Sequence, residues 1–294
     1  MYYRRKVLLS LLQMFEGTLE KIQLQKLLFL FCQKQEKPAF HFIPFKYGCF
    51  SFQANADLGT LGKYGLIDEQ EKSWKINTKE DFLKALNKQD ALLMRGITLV
   101  YKTKSTDDLI KLTYQKYPYY AINSQIAGKI LGNEELMKVT KSRPESEKKC
   151  LYTIGYEGIS LEEYINQLIQ KDIKVLCDVR KNSFSMKYGF SKSQLQAACE
   201  GVGIKFLHFP EVGIESSQRQ ELNNQDDYDQ LFASYCREVL PQTLKTQEAI
   251  LALVEEHQRV ALTCFEGQHC QCHRSHLATA VAQLPNFKYA VEHL

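Results

Sequence analysis

Residues 150–179 constrain this chain more than any other stretch, because they read as strand, helix and strand in succession. The mostly apolar run CLYTIGY at 150–156 leads into Glu157-Gly158, and a second apolar run at 174–179 carries Asp178 and then Arg180 at its carboxyl end. Between them, Ser160 and Glu163 have the spacing of a capping box, which predicts a helix over 161–170. Two strands joined by one helix in so short a span run parallel with a right-handed crossover, and a parallel sheet is covered by helices on both faces. The expected fold is therefore α/β: a C-terminal three-layer sandwich with a mostly parallel sheet over 150–294. Within it, 191–201 reads as a helix, 204–209 as a strand delivering His208, and 228–239 and 241–257 as helices. A last strand precedes a helix at 274–284 and a short terminal segment. Gly155 and Gly158 are weak grounds for a phosphate loop, since the lysine and serine of a P-loop and the third glycine of a dinucleotide fingerprint are missing.

The last strand runs into ALTCFEGQHCQCHRSHLA at 261–278, which concentrates Cys264, Cys270, Cys272, three histidines, Glu266 and Arg274. In open parallel sheets, ligands sit where strands end in this way. Three chemistries fit. Thiolates and imidazole suit zinc, with Cys264, Cys270, Cys272 and His273 as candidate ligands. The Cys-x5-Cys-x-Cys-His spacing, without a second knuckle, departs from the usual structural zinc site, so no cofactor is expected by default. A thiol beside His273 and Arg274 at a helix start could instead be an activated nucleophile. The third reading is a buried cluster in which Arg274 binds an anion.

The preceding half differs in charge. Residues 1–149 hold 25 Lys+Arg against 16 Asp+Glu, a net +9, whereas residues 150–294 hold 13 against 18, a net −5. A polyanion would be held by the first half. Apolar spacing predicts helices over 2–15, 21–35 and 50–64, followed by a hairpin over 66–76. Three helices and a hairpin give the order of a winged helix, a module that commonly reads DNA through its third helix. Residues 79–132 continue as helix, and in YQKYPYY at 114–120 the tyrosines either stack bases or pack in an interior. Residues 138–149, with Ser142, Pro144 and Ser146, have linker composition. The expected layout is a winged-helix-like module at 1–78, a helical extension at 79–140, a linker at 141–149 and the α/β domain at 150–294. No apolar run reaches the roughly 18 to 20 residues of a membrane span, so no membrane partner is expected. Nine irregularly spaced cysteines and no export signal point to a reducing cytoplasm.

LQKLLFLF at 24–31, YGCFS at 47–51 and DLGTLGKYGLI at 57–67 resemble the helical module of SocA-like, or Panacea, antitoxin proteins, with Cys49 where that family usually has proline. That resemblance implies a module that often binds proteins. The second half resembles the domain-of-unknown-function family 488 over about 150–280. The resemblance lies in TIGYEG at 153–158, DVR at 178–180 with Ser183, GF at 189–190 with Lys192, His208 before Glu211-Val212-Gly213, and Cys264-Phe265-Glu266 with Cys272-His273-Arg274. Asn182 stands where a proline is common and Val212 where leucine is usual. The resemblance implies an association with nucleic-acid metabolism and mobile-element defence, without a defined reaction.

These residues should gather at one edge of the sheet. Glu157, Asp178, His273, Cys272 and Glu266 are the candidate catalytic groups; Tyr156, Arg180, Ser183, Lys192, His208 and Arg274 are the candidate ligand-binding groups. The expected function is nucleic-acid-associated, with DNA favoured over RNA: the basic half holds the polymer and the cleft moves protons on a base, nucleotide or phosphodiester. A non-enzymatic sensor for a modified nucleotide, or an antitoxin-like module with a protein partner, is the alternative.

Overall fold

The computed structural model describes residues 1–219 and 225–294, and the chain divides into two compact units, Met1–Arg143 and Pro144–Leu294.

The first unit is mainly helical. Helix α1 (Tyr3–Met14) is followed by strand β1 (Thr18–Glu20) and helix α2 (Lys21–Cys32), then by the hairpin β2 (Ile43–Phe45) and β3 (Gly48–Phe50). Helix α3 (Phe52–Lys63) leads into β4 (Ile67–Glu69) and β5 (Ser73–Ile76). The expected hairpin is present as the antiparallel pair β4–β5, with Ile67 opposite Ile76. β1 was not expected; it joins the other edge of β5, giving the order β1-β5-β4. Three residues with one buried side chain, Leu19, carry too little periodicity to be read as a strand without the partner.

Apolar residues of α1 and α2 supply the centre of this unit's core, among them Leu8, Leu12, Leu28 and Phe31. Two sequence motifs meet here. Gln25 of α2 exchanges two hydrogen bonds with the Ser51 backbone, and the buried Lys26 ammonium donates to the Cys49 carbonyl at 3.0 Å. Burial pulls the Lys26 pKa below its usual value. Asp57 of α3, almost wholly buried, is held by Arg4 and by Arg5 at 2.7 Å.

Helices α4 (Lys88–Tyr101), α5 (Thr106–Lys116), the short α6 (Ala127–Ile130) and α7 (Asn133–Lys141) complete the unit. The tyrosine cluster packs inward: Tyr117 and Tyr120 set their edges against Phe29, and the buried Tyr114 hydroxyl meets Ser124 at 2.7 Å. Residues 138–141, given to the linker by composition, are the last turn of α7; Lys138 and Lys141 there complement the helix dipole.

In the second unit, strands β6 (Cys150–Gly155), β7 (Val175–Asp178), β8 (Lys205–His208), β9 (Arg259–Cys264) and β10 (Ala290–His293) form one sheet in the order β10-β6-β9-β7-β8. Among the described residues every pairing in it is parallel. Helices α8 (Leu161–Gln170), α9 (Lys192–Glu200), α10 (Gln225–Ser234), α11 (Leu244–His257) and α12 (His273–Ala282) connect and cover it. β6, β7 and β9 are buried along their whole length, as strands covered on both faces must be. Val260, Leu262 and Cys264 of β9 face a core built with α11 and α12. Thr263 points the other way, where the Tyr164 hydroxyl of α8 donates to it at 2.7 Å. β10 is the expected terminal segment in strand form; its exposed Glu292 and His293 suit a sheet edge and hide it from a hydropathy pattern. Among the described residues, no helix is long and apolar enough to cross a membrane.

The capping box starting α8 is formed in both directions, with Ser160 accepting from Glu163 N–H at 3.2 Å and Glu163 accepting from Ser160 N–H at 2.8 Å. Replacing Ser160 by alanine should lower the unfolding free energy by about 1 kcal/mol. Urea denaturation of the full chain followed by far-ultraviolet circular dichroism checks this; an unchanged midpoint would deny the cap its role.

Candidate functional site

The carboxyl ends of β6, β9, β7 and β8 lie side by side, with Gly155 opposite Cys264, and Asp178 opposite both Thr263 and His208. The turn after β9 folds back over the end of β6, where Tyr156 and Glu157 N–H groups both donate to the Phe265 carbonyl, at 3.1 and 2.9 Å. Glu157 is exposed, and its carboxylate accepts from Gly267 N–H at 3.0 Å, fastening the same turn. A side chain at Gly155 would place its Cβ 1.8 Å from the Glu266 carbonyl oxygen. The glycine is thus required by the contact between two loops, which accounts for it without a phosphate. Gly213 is similar: a Cβ there would stand 2.2 Å from the Lys181 backbone nitrogen.

Asp178 and Arg180 form a buried pair. The guanidinium donates to both Asp178 oxygens, at 2.8 and 2.6 Å, and also to the Tyr156 hydroxyl at 2.7 Å and the Phe190 carbonyl at 2.9 Å. Burial opposes its charge, but the hydrogen bonds and charge of Asp178 prevail, and the Arg180 pKa rises. The Tyr156 ring stacks on Phe190 at 4.2 Å. Ser183, Lys192 and His208 brace the segment after β7. Lys192 N–H donates to the Ser183 carbonyl at 3.0 Å, His208 Nε2 donates to the Arg180 carbonyl at 2.9 Å, and the Lys192 ammonium reaches His208 Nδ1 at 3.2 Å.

A second group lies around the end of β9 and the start of α12. Cys264, Cys272 and His273 are buried, and their sulfur and ring-nitrogen atoms fall within 4.8 Å of one another. One Glu266 oxygen sits 3.3 Å from Cys264 Sγ and 2.9 Å from Cys272 Sγ. Burial first, then Cys264 and Glu266, push the Cys272 thiol well above its usual pKa. Arg274 is wholly buried, and its guanidinium donates to the carbonyls of Glu266 and Gly267, the latter at 3.0 Å, so it shapes the turn. Cys270 is exposed, its thiol 3.9 Å from Gln268 Oε1, and is not part of the group.

A cleft of about 420 Å³ opens over these residues, with Cys264, Glu266, Tyr156 and Arg180 in its lining. Its rim carries exposed apolar side chains, Phe184, Met186 and Phe265, with Lys181 and Asn182 beside them. This rim is not among the candidate residues that the sequence pattern gives. Its signal was available: Phe184 and Met186 stand in a segment rich in lysine, serine and glycine, where no helix or strand period assigns them to a core.

Residues 160–281 match the model of a family described as Domain of unknown function DUF488. No curated protein and no solved structure matches. The matched span contains Asp178, Arg180, Ser183, Lys192, His208 and the whole cysteine stretch, and begins after Tyr156 and Glu157.

Two outcomes follow from the packing of this edge. Asp178→Ala leaves a buried guanidinium without its carboxylate and should cost about 3–5 kcal/mol of stability, measured by urea unfolding of the full chain. Gly155→Ala should destabilise by about 3 kcal/mol, since two backbones must separate. A Gly155→Ala variant as stable as the parent would mean that the turn after β9 does not rest on β6.

Proposed function

We propose that this protein is a nucleic-acid-associated enzyme whose basic first unit holds DNA and whose second unit takes a base or nucleotide into the cleft at the strand ends. The observation that carries this reading is the composition of the cleft: a carboxylate and a thiol, Glu266 and Cys264, in its lining, and exposed Phe184, Met186 and Phe265 on its rim. Aromatic faces accept bases whatever their sequence, and an enzyme that acts on a base needs the base out of its stack. Glu266 is the group placed to move a proton. Asp178 has both oxygens engaged by Arg180, and His273 is fully buried behind Cys264. Phosphate would be met by Lys181 at the rim rather than by Arg180 or the buried Arg274.

For the first unit, the support is a winged-helix-like order. Three helices precede the β4–β5 hairpin, β1 closes the small sheet, and the hairpin exposes Lys72 and Lys75. Helix α3 carries only Asp57 and Lys63 as charged residues, so the hairpin lysines are the phosphate contacts in this reading. A second reading, a sensor that recognises a nucleotide without turnover, is favoured by the full burial of Asp178, His273 and Arg274, which leaves few polar groups for chemistry.

The test is titration of the full chain with labelled single- and double-stranded DNA and RNA across a range of salt concentrations. The expected result is binding, DNA above RNA, that weakens steeply as salt rises, because phosphate contacts release counterions. Phe184→Ala should weaken single-strand binding by about 10-fold, within the stacking range of about 1–3 kcal/mol per base. Absence of binding to any of these at low salt would overturn the proposal. If binding stands, Glu266→Gln separates the readings: the enzyme loses turnover and keeps affinity, whereas the sensor has no turnover to lose.

A further inference from the structure

We infer that Cys264, Cys272 and His273 form a zinc site, with its fourth position beside Glu266 on the side of the cleft. The linear spacing of the cysteines argued against a zinc knuckle, but the turn from β9 into α12 brings together residues that spacing alone keeps apart. Cys264 ends β9, Cys272 precedes α12, and His273 is its first residue.

The tautomer of His273 can be read from its partner. Nε2 lies 3.0 Å from the Val179 carbonyl oxygen, which can only accept, so Nε2 carries the hydrogen. In the neutral ring the lone pair is then on Nδ1, the atom facing Cys264 Sγ at 3.7 Å and Cys272 Sγ at 3.8 Å. Tetrahedral zinc with its usual bond lengths to sulfur and nitrogen requires sulfur–nitrogen separations of about 3.6 Å. The two distances therefore already approximate the edges of the coordination polyhedron. The Val179 carbonyl plays the outer role found for metal-bound histidines, fixing ring orientation through the far nitrogen.

Charge agrees with geometry. Two thiolates and the Glu266 carboxylate bring three negative charges; zinc offsets two, and the buried Arg274, whose guanidinium binds the carbonyls at residues 266 and 267, offsets the third. In binding, each thiol gives up its proton to solvent and its sulfur lone pair to the metal, with no change of oxidation state. Glu266 and Cys264 both line the cleft, so a ligand at the fourth position would be reachable from it.

This inference does not depend on nucleic-acid binding, because metal uptake is measured without a substrate. The full chain, purified reduced and metal-free, is titrated with zinc against a chromophoric chelator and separately with cobalt(II). The expected result is one equivalent of tightly bound metal. The cobalt form should show thiolate-to-metal charge-transfer absorption and the intense visible bands of tetrahedral coordination. Cys264→Ser and Cys272→Ser should each weaken zinc binding by more than the roughly 10- to 100-fold that loss of an outer partner costs. Cys270→Ser, at an exposed position outside the group, should leave affinity unchanged. Should a variant fail to fold by circular dichroism, the cobalt spectrum of the parent chain still decides. Less than stoichiometric uptake, an octahedral spectrum without sulfur charge transfer, or unchanged affinity in Cys272→Ser would overturn the site. So would a parent chain that holds Cys264 and Cys272 as a disulfide after purification under reducing conditions.

Discussion

The approach of Gly155 to the Glu266 carbonyl is the contact on which the arrangement of this sheet edge depends. β6 and β9 are neighbours in register from Cys150 opposite Arg259 to Gly155 opposite Cys264, and the two chains leave the sheet almost touching. Without a Cβ at residue 155, the turn after β9 can fold back, take hydrogen bonds from residues 156 and 157, and return at once into α12. That reversal sets Cys272 and His273 beside Cys264. The side-chain chemistry of the site is thus a consequence of backbone packing.

Buried charges hold the rest in place. A guanidinium out of water needs hydrogen-bond partners, and Arg180 and Arg274 find theirs differently, with the buried Arg274 Nε left without one. Arg180 neutralises Asp178 and also ties β7 to Tyr156 after β6 and to the Phe190 carbonyl. Arg274 of α12 grips the turn before its own helix by two carbonyls. One arginine joins the ends of the two strands that flank β9 and the other closes a loop, and the cleft lining includes Arg180, Cys264 and Glu266.

Much of the second unit was legible because its signals are local. The Ser160–Glu163 box, the apolar strands and the helix over 161–170 follow from residues close in sequence, and all are found. The convergence of strand ends followed from topology, which places Tyr156, Asp178, His208 and Cys264 at one edge. The rest depends on partners distant in sequence. β1 and β10 are too short to declare themselves without β5 and β6 beside them. Arg274 reads as a ligand-binding cation until its burial against the 266–267 carbonyls is known, and Cys270 reads as the equal of Cys272 although only one of them turns inward. Phe184 and Met186 escaped notice because apolar residues in a loop are usually assumed to pack against something.

The position of β9 has a temporal consequence. It is the central strand of the sheet, between β6 and β7, yet it follows β6, β7 and β8 in the chain. A growing polypeptide that has emerged as far as β8 can pair β7 with β8, but β6 has no neighbour until residue 259 and beyond arrive. Such long-range parallel pairing is slow, because distant segments must be brought together before any contact rewards them. Cys264 and Glu266 come with that central strand, so the cleft cannot exist before β9 joins the sheet. The joining of β6 to β7 through β9 and the acquisition of the site are one event.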